Sequence, residues 1–199
     1  LFLTTKIYRP RTTYQKAKSG IEQSLNELQT DYIDLLLIHE PYKSAPEMYE
    51  AFKEALRDGK VRAIGISNFD AEKYKEFVRS CEIIPAVNQV ESHVYFPQLE
   101  LKNLLNSYGT QMQSWASFTE GRKNIFAEPV LKEIGARHGK TSGQIALRYL
   151  IQNGIAVIPK SVHRERMAEN LAVLDFALTP SEISAISRLN GNSSLFGWY

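Results

Sequence analysis

The segment Asp31–His39 reads DYIDLLLIH and contains the most apolar run of the chain. The run is interrupted by Asp34 and is far shorter than the roughly 20 residues that a membrane-spanning helix requires, so we expect no membrane span. A short run rich in branched apolar residues is typical of a strand buried on both faces of a parallel sheet. The segment therefore predicts a buried strand over Ile33–Ile38, and the polar His39 marks its end.

Strand-like runs of this kind recur along the chain, separated by segments with a helical pattern. Consecutive strands begin about 25–32 residues apart, and about 45 residues before the last one, which is the size of a βα unit. The six predicted strands are Leu1–Thr5, Ile33–Ile38, Val61–Ile66, Ala86–Val90, Met112–Trp115 and Ala156–Pro159. Strands that are joined by crossover helices run in the same direction, so a parallel sheet is predicted.

Eight segments carry the helical pattern. The first has an apolar stripe at Ala17, Ile21, Leu25 and Leu28, which is the spacing of one helix face. Thr141 or Ser142 is a candidate N-cap, and Asp58-Gly59 is a candidate helix end. The predicted helices are Tyr14–Leu28, Pro46–Arg57, Ala71–Arg79, Gln98–Asn106, Pro129–His138, Ser142–Gln152, Arg164–Val173 and Pro180–Leu189.

The choice between an open doubly wound sheet and a barrel depends on the residues at the strand ends. No G-x-G-x-x-G motif comes after any strand, which disfavours a Rossmann fold. Distinctive side chains instead mark the six strand ends, namely Lys6, His39, Ser67-Asn68, Gln89, Trp115 and Lys160. The carboxyl ends of parallel strands form the active-site face of a barrel. We therefore predict an α/β protein whose parallel strands form a barrel of the TIM-barrel type, as a single domain over residues 1–199.

The composition is that of an ordinary globular protein. Lys and Arg number 24 and Asp and Glu 22, for a formal charge of +2, which disfavours nucleic-acid binding because such proteins concentrate basic residues on one face. The single cysteine, Cys81, cannot form an internal disulfide and has no Cys or His neighbours at metal-ligand spacing. A cytoplasmic location and no metal site are the simplest expectations.

Several segments together resemble the aldo-keto reductases, in particular the bacterial reductases of the 2,5-diketo-D-gluconate and prostaglandin F synthase type. The matching segments are Phe2–Lys6 (FLTTK), Asp31–His39 (DYIDLLLIH), Gly59–Phe69 (GKVRAIGISNF), Val87–Glu91 (VNQVE), Glu120–Arg122 (EGR), Ile158–Val162 (IPKSV) and Glu169-Asn170. The resemblance extends over the whole chain. It implies a (β/α)8 barrel that reduces a carbonyl substrate.

The resemblance implies two catalytic residues in this chain. Lys6 matches the lysine whose ammonium lowers the pKa of a neighbouring tyrosine, so that the phenol can deliver a proton to the carbonyl oxygen. His39 matches the histidine that donates a hydrogen bond to the carbonyl and orients it. The alternatives are a solvated lysine at the end of an edge strand and a strand-end histidine with a purely structural role.

The resemblance also implies NADPH as the cofactor. Ser67, Asn68 and Gln89 match residues that bind the nicotinamide carboxamide, and Trp115 matches the aromatic that stacks on the ring. A helix amino terminus beside Lys160 and Arg166 suits the adenosine 2′-phosphate. Turn capping, core packing and a solvated basic helix start are the alternatives. The full set of expected cofactor-binding residues is Ser67, Asn68, Gln89, Trp115, Ala116, Ser117, Phe118, Lys160, Ser161, Val162, Arg166, Glu169 and Asn170.

The sequence departs from the family pattern in several places. The family's Asp and catalytic Tyr belong to a segment that should precede Leu1, together with two strands and two helices. We therefore expect that the 199 residues are part of a longer protein, with a truncated gene product as the alternative. Glu40 and Ser117-Phe118 replace the residues usual in the pocket, and we expect the specificity-setting C-terminal tail to be short or missing.

Three functions remain open from the sequence. The first is NADPH-dependent reduction of aldehydes or ketones, complete only in the full-length protein, which we expect to be a monomer. The second is a cofactor-binding protein without turnover, because the 199 residues lack the proton-donor Tyr. The third is another barrel enzyme, such as an isomerase or aldolase, although the sequence shows neither a phosphate-gripping glycine loop nor a metal cluster at the strand ends.

Overall fold

The computed structural model of the protein describes residues 1–197. The chain divides into two compact units, Leu1–Gln89 with Leu104–Gln111 and Val90–Asn103 with Met112 onward. Strands and helices alternate along the described residues. The strands are β1 (Thr4–Ile7), β2 (Leu35–Ile38), β3 (Ile64–Ser67), β4 (Val87–Glu91), β5 (Gln111–Trp115) and β6 (Ala156–Val157). The helices are α1 (Tyr14–Leu28), α2 (Ala45–Arg57), α3 (Ala71–Val78), α4 (Leu99–Ser107), α5 (Pro129–His138), α6 (Ser142–Gln152), α7 (Arg164–Leu171) and α8 (Pro180–Ser187).

The six strands form one sheet in the order β1-β2-β3-β4-β5-β6. β1 and β2 pair in parallel from Thr4 with Leu35 to Ile7 with Ile38. β5 and β6 are also parallel. Each crossover between successive strands contains at least one helix, which is the connection that parallel neighbours require. The predicted six-stranded parallel sheet is confirmed.

β2 forms the centre of the core in the first unit. All four of its residues are buried, with exposed fractions of 0–2%, so both of its faces are covered. Ala17 and Ile21 of α1 and Met48 and Phe52 of α2 are buried as well, and α1 packs against α2. Burial of a Leu or Ile side chain contributes about 1.5–3 kcal/mol, so this apolar strand contributes much of the stability that holds its polar end in place.

Local sequence signals explain where the helices begin and end. Thr13 caps α1 through the backbone N–H of Lys16. Thr141 and Gln144 form a reciprocal capping box at the start of α6, which satisfies two backbone N–H groups that a helix end leaves free. Gly59 adopts a positive φ of 75° after α2, a conformation that glycine tolerates without strain. Both predicted boundary signals are confirmed, with Thr141 rather than Ser142 as the cap.

Some predicted bounds and faces were wrong. β1 runs from Thr4 to Ile7 rather than from Leu1 to Thr5, because its pairing with β2 covers those four residues and Leu1 and Phe2 are exposed. Lys6 therefore lies within the strand rather than after it. β6 ends at Val157, two residues early. Leu28 does not belong to the buried stripe of α1, since 43% of its surface is exposed. Among the described residues, no helix combines the length and the apolar character needed to cross a bilayer.

Candidate active site

The register of the first two strands determines which side chains share a face. Lys6 pairs with Leu37 across the β1–β2 ladder, and the His39 N–H donates to the Ile7 carbonyl at 3.1 Å. Side chains alternate along a strand, so His39, two residues after Leu37, lies on the same face as Lys6. Both residues are at the carboxyl ends of their strands. The structure therefore agrees with the prediction that they line one rim.

Three further residues join them at this rim. Ser67 pairs with Gln89 between β3 and β4, and the Ser67 hydroxyl donates to the Gln89 carbonyl at 2.7 Å. The Lys6 ammonium donates to the Gln89 side-chain oxygen at 2.5 Å. The Asn68 amide donates to the His39 carbonyl at 3.1 Å. The Asn68 N–H also donates to the Gln89 carbonyl at 2.9 Å. We call these five residues the strand-end cluster, and these hydrogen bonds make it a connected polar network.

Burial lowers the pKa values of two side chains in the strand-end cluster, Lys6 and His39. Partial burial lowers the pKa of the Lys6 ammonium. The pKa of His39 is lowered first by burial and then by the nearby charge of Lys6, while Glu40 acts in the opposite direction. Glu40 lies 3.4 Å from His39 Nδ1, although that nitrogen has no partner with hydrogen-bond geometry. A neutral imidazole is therefore favoured near neutral pH, and it carries one N–H donor.

In the second unit, Trp115 is the last residue of β5, as predicted. The loop after it turns sharply, with a left-handed φ of 55° at Ala116. Ser117 is buried, and its hydroxyl lies 2.7 Å from the Ser114 hydroxyl. The Ser117 side chain is therefore engaged within the protein, and its role toward a cofactor stays a prediction.

A cavity of about 450 Å³ lies at the amino terminus of α7, and we call it the α7 cavity. Seven predicted cofactor-binding residues line it: Phe118, Lys160, Ser161, Val162, Arg166, Glu169 and Asn170. Trp115, Ala116 and Ser117 are not among its lining residues. The residue before the helix, His163, makes no side-chain capping hydrogen bond. Two cationic side chains beside a helix amino terminus form a donor set that fits a phosphomonoester.

The support for α7 comes from α6. The Thr141 hydroxyl donates to the Glu169 carboxylate, and the Gln144 amide donates to the Glu169 carbonyl at 3.1 Å. None of the α7 side chains is buried. The sequence predicted Thr141 as a cap but not as a cavity residue, and it gave no prediction for Phe126 and Gly143, which also line the cavity. Among the cavity residues that were not predicted, only Thr141 carried a sequence signal, its cap position, and that signal did not indicate its partner Glu169, which is 28 residues away.

In the part of the chain that the structure describes, no group of three or more His, Cys, Asp or Glu side chains is arranged to hold a metal ion.

Comparison with known proteins identifies the family. The sequence profile of the Aldo/keto reductase family matches residues 1–191. Glyoxal reductase of Bacillus subtilis is 37% identical over 191 residues, covering 96% of this chain and 68% of that protein. The crystal structure of an aldo-keto reductase from a Medee basin deep-sea metagenome library has a TM-score of 0.94 at 35% identity, covering 98% of this chain and 72% of that one. A Bombyx mori aldo-keto reductase in complex with NADP has a TM-score of 0.91 at 31% identity, covering 98% and 69%.

These similarities confirm the resemblance drawn from the sequence motifs and the predicted barrel class. The six parallel strands and their helices match the corresponding part of the (β/α)8 barrel of the solved relatives. The chain belongs to the aldo/keto reductase family.

Proposed function

We propose that the full-length protein reduces aldehydes or ketones to alcohols by hydride transfer from NADPH. The observation that carries the proposal is the α7 cavity, in which Lys160 and Arg166 lie beside the amino terminus of a helix. Two comparisons support it. One relative is named glyoxal reductase, and one structural neighbour was solved in complex with NADP.

The preference for NADPH over NADH would come from charge. A 2′-phosphate carries close to two negative charges at neutral pH, and a hydrogen bond between charged groups contributes about 1.5–3 kcal/mol. Arg166 and Lys160 are the cationic side chains of the α7 cavity that could supply this contact. Glu169 and Asn170, which also line this cavity, would bind the adenine.

The strand-end cluster would act on the carbonyl. Nicotinamide supplies a hydride when bound, and the protein must then stabilise charge on the oxygen. His39, neutral because its pKa is lowered, would donate its N–H to that oxygen. The Lys6 ammonium, which is held by Gln89, would place positive charge nearby. Ser67, Asn68 and Gln89 would bind the carboxamide.

The second candidate function is nucleotide binding without turnover by the 199-residue chain. No segment of the 199 residues resembles the family's Asp and Tyr donor segment. Within residues 1–197, the hydrogen bond found for the Lys6 ammonium goes to the amide of Gln89 rather than to a phenol. A positioned acid typically contributes about 10²–10⁴-fold to such a reaction. The chain alone would therefore bind NADPH and turn over poorly.

One paired experiment tests both candidates. NADPH consumption with glyoxal is measured beside NADPH titration, for the 199-residue chain and for the protein that includes its upstream coding sequence. We expect the two proteins to bind NADPH with comparable affinity. We expect turnover of glyoxal only in the longer protein. Equal turnover in both would show that the proton donor lies within the 199 residues. Absence of NADPH binding in both would overturn the proposed function.

Three further properties belong to the same proposal. We propose that residues 1–199 act as one domain, that the full-length protein is a monomer, and that it works in the cytoplasm. The location is supported by the single cysteine. Light scattering of the full-length protein would test the monomer.

A further inference from the structure

The residues after α8 form a compact turn in the second unit. The buried carboxylate of Glu91 holds this turn in place. The Gly191 N–H donates to the Tyr95 carbonyl at 2.9 Å. The Ser194 hydroxyl donates to Glu91 Oε2 at 2.5 Å, and the Leu195 N–H donates to Glu91 Oε1 at 2.8 Å. We call residues 191–197 the C-terminal turn.

Glu91 is a fully buried carboxylate with 0% exposure. Its third neighbour, also fully buried, is His93, whose Nε2 lies 3.1 Å from Oε1. A buried carboxylate is tolerated only where hydrogen bonds replace the water it has lost. Two of the three contacts that the structure shows come from the C-terminal turn, so Glu91 binds this turn firmly to the end of β4.

Ser194 shapes the backbone of the C-terminal turn. Its oxygen accepts the N–H groups of Phe196 at 3.1 Å and of Gly197 at 2.9 Å. One side chain thus holds both Glu91 and the backbone on either side of the Phe196 carbonyl. The backbone from which the Phe196 ring projects is consequently held in place.

The ring that Phe196 meets is Trp115. The two ring centroids are 4.9 Å apart with an interplanar angle of 67°, an edge-to-face arrangement that aromatic pairs prefer. The Arg122 guanidinium lies 5.2 Å from the centroid of the Phe196 ring. The Phe196 ring therefore packs edge-to-face against the indole of Trp115.

We propose that Phe196 is a positioning residue for the nicotinamide ring, acting through the indole plane of Trp115, and that Glu91 and Ser194 hold Phe196 in place. The inference rests on the proposed function, because it assumes that nicotinamide stacks on Trp115. It concerns only the nicotinamide half of the cofactor. The adenosine half would be bound in the α7 cavity, whose lining includes no residue of the C-terminal turn.

The test separates the two halves of the cofactor. The chain has two tryptophans, and Trp198 lies outside the described residues, so all variants carry Trp198→Phe and report Trp115 emission alone. Phe196→Ala is compared with the conservative Phe196→Tyr. Each protein is titrated with NADPH and with adenosine 2′,5′-bisphosphate, which lacks nicotinamide.

We expect Phe196→Ala to weaken NADPH binding about three- to ten-fold and to shift the Trp115 emission, with adenosine bisphosphate binding unchanged within about twofold. Phe196→Tyr should restore both readouts. Ser194→Ala should act in the same direction as Phe196→Ala.

The outcomes distinguish the inference from the proposed function. If the parent protein does not bind adenosine bisphosphate, the proposed nucleotide site is wrong. If adenosine bisphosphate binds but Phe196→Ala leaves NADPH affinity unchanged, Phe196 does not position the ring. Tighter NADPH binding by Phe196→Ala would also overturn the inference, because it would mean that Phe196 blocks the face on which nicotinamide stacks. A shared loss for both ligands would overturn it as well, because it would show a general structural defect.

Discussion

The strand-end cluster and the α7 cavity differ in how their polar groups are satisfied. In the cluster, Ser67 and Gln89 have exposed fractions of 0% and 2%, and the Lys6 ammonium is bonded to Gln89. In the cavity, Arg166 is exposed and α7 has no buried side chain. The cluster is organised by the protein alone, whereas the cavity offers charged groups that a ligand would have to satisfy.

This contrast indicates that the cluster can stabilise a transition state and that the cavity can contribute binding free energy. A preorganised cluster loses little order when a substrate binds, which is the condition for strong electrostatic stabilisation of a transition state. Exposed cationic side chains on a lightly packed helix contribute mainly to binding, since their hydrogen bonds form with the ligand. Substitutions of Lys6 or His39 in the cluster should therefore change mainly the reaction rate, and substitutions of Lys160 or Arg166 in the cavity should change mainly the affinity for NADPH.

The largest expected effect is that of Lys6→Met in the full-length protein. Removal of the ammonium from the strand-end cluster should lower the rate of aldehyde reduction by about 10²–10⁴-fold. NADPH affinity should stay within about twofold, because Lys6 is not among the residues of the α7 cavity. Steady-state kinetics and nucleotide titration give the two values. The matched control is Lys43→Met, at an exposed lysine, and a Lys6→Met protein with near-normal kcat would contradict the division of roles.

Arg166→Ala should have a smaller effect and the opposite pattern. Loss of a charged contact to the 2′-phosphate should weaken NADPH binding by roughly ten- to a hundred-fold and leave NADH binding nearly unchanged. Fluorescence titration with NADPH and with NADH measures the two affinities. Arg164→Ala is the matched control, since Arg164 begins the same helix but does not line the cavity. An equal loss of affinity for NADPH and NADH would show that Arg166 does not contact the 2′-phosphate.

The smallest expected effect is on the free energy of unfolding, through the hydrogen bonds that Asp34 makes beside β1, the strand that contains Lys6. The Leu3 N–H donates to Asp34 at 2.8 Å, and Arg62 donates to the same carboxylate at 2.8 Å. These groups lower the pKa of Asp34, the Leu3 hydrogen bond most strongly. Because the folded pKa is below the unfolded value of about 3.9, the stabilisation is complete above that pH and is lost as the pH falls through the folded pKa.

Asp34→Asn should accordingly lower the free energy of unfolding at pH 7, and its difference from the parent should shrink at pH 3. Urea unfolding at the two pH values measures this, with Asp31→Asn, at an exposed aspartate, as the control. A difference that is the same at both pH values would show that the carboxylate charge is not what stabilises β1.

The local pattern of the sequence was enough to predict most of the fold. The bounds of α1, α5 and α6 agree to the residue with the predicted ones, since apolar periodicity and caps act over a few neighbouring residues. The first strand was misplaced for a non-local reason. Its start depends on where Leu3 and Thr4 meet Asp34 and Leu35, and the sequence of the strand contains no record of that register.

The two candidate sites were predictable to different extents. Motifs located Lys6 and His39 near the carboxyl ends of their strands, because chain order gives that position, although Lys6 lies within β1 rather than after it. Chain order did not predict that Thr141 lines the cavity. It also did not predict the hydrogen bond between Lys6 and Gln89, two residues that are 83 positions apart. Which polar side chains become partners depends on how the strands and helices pack.

The amino-acid sequence alone was enough to specify the alternation of strands and helices, the parallel sheet and the identity of the residues at the strand ends, because these depend on contacts between near neighbours in the chain. Packing in three dimensions was needed to show that Glu91 is buried against Ser194, 103 residues away, and that Phe196 meets Trp115. A buried charge must find its hydrogen-bond donors wherever packing supplies them, and the local pattern of a sequence does not specify which distant segment does so.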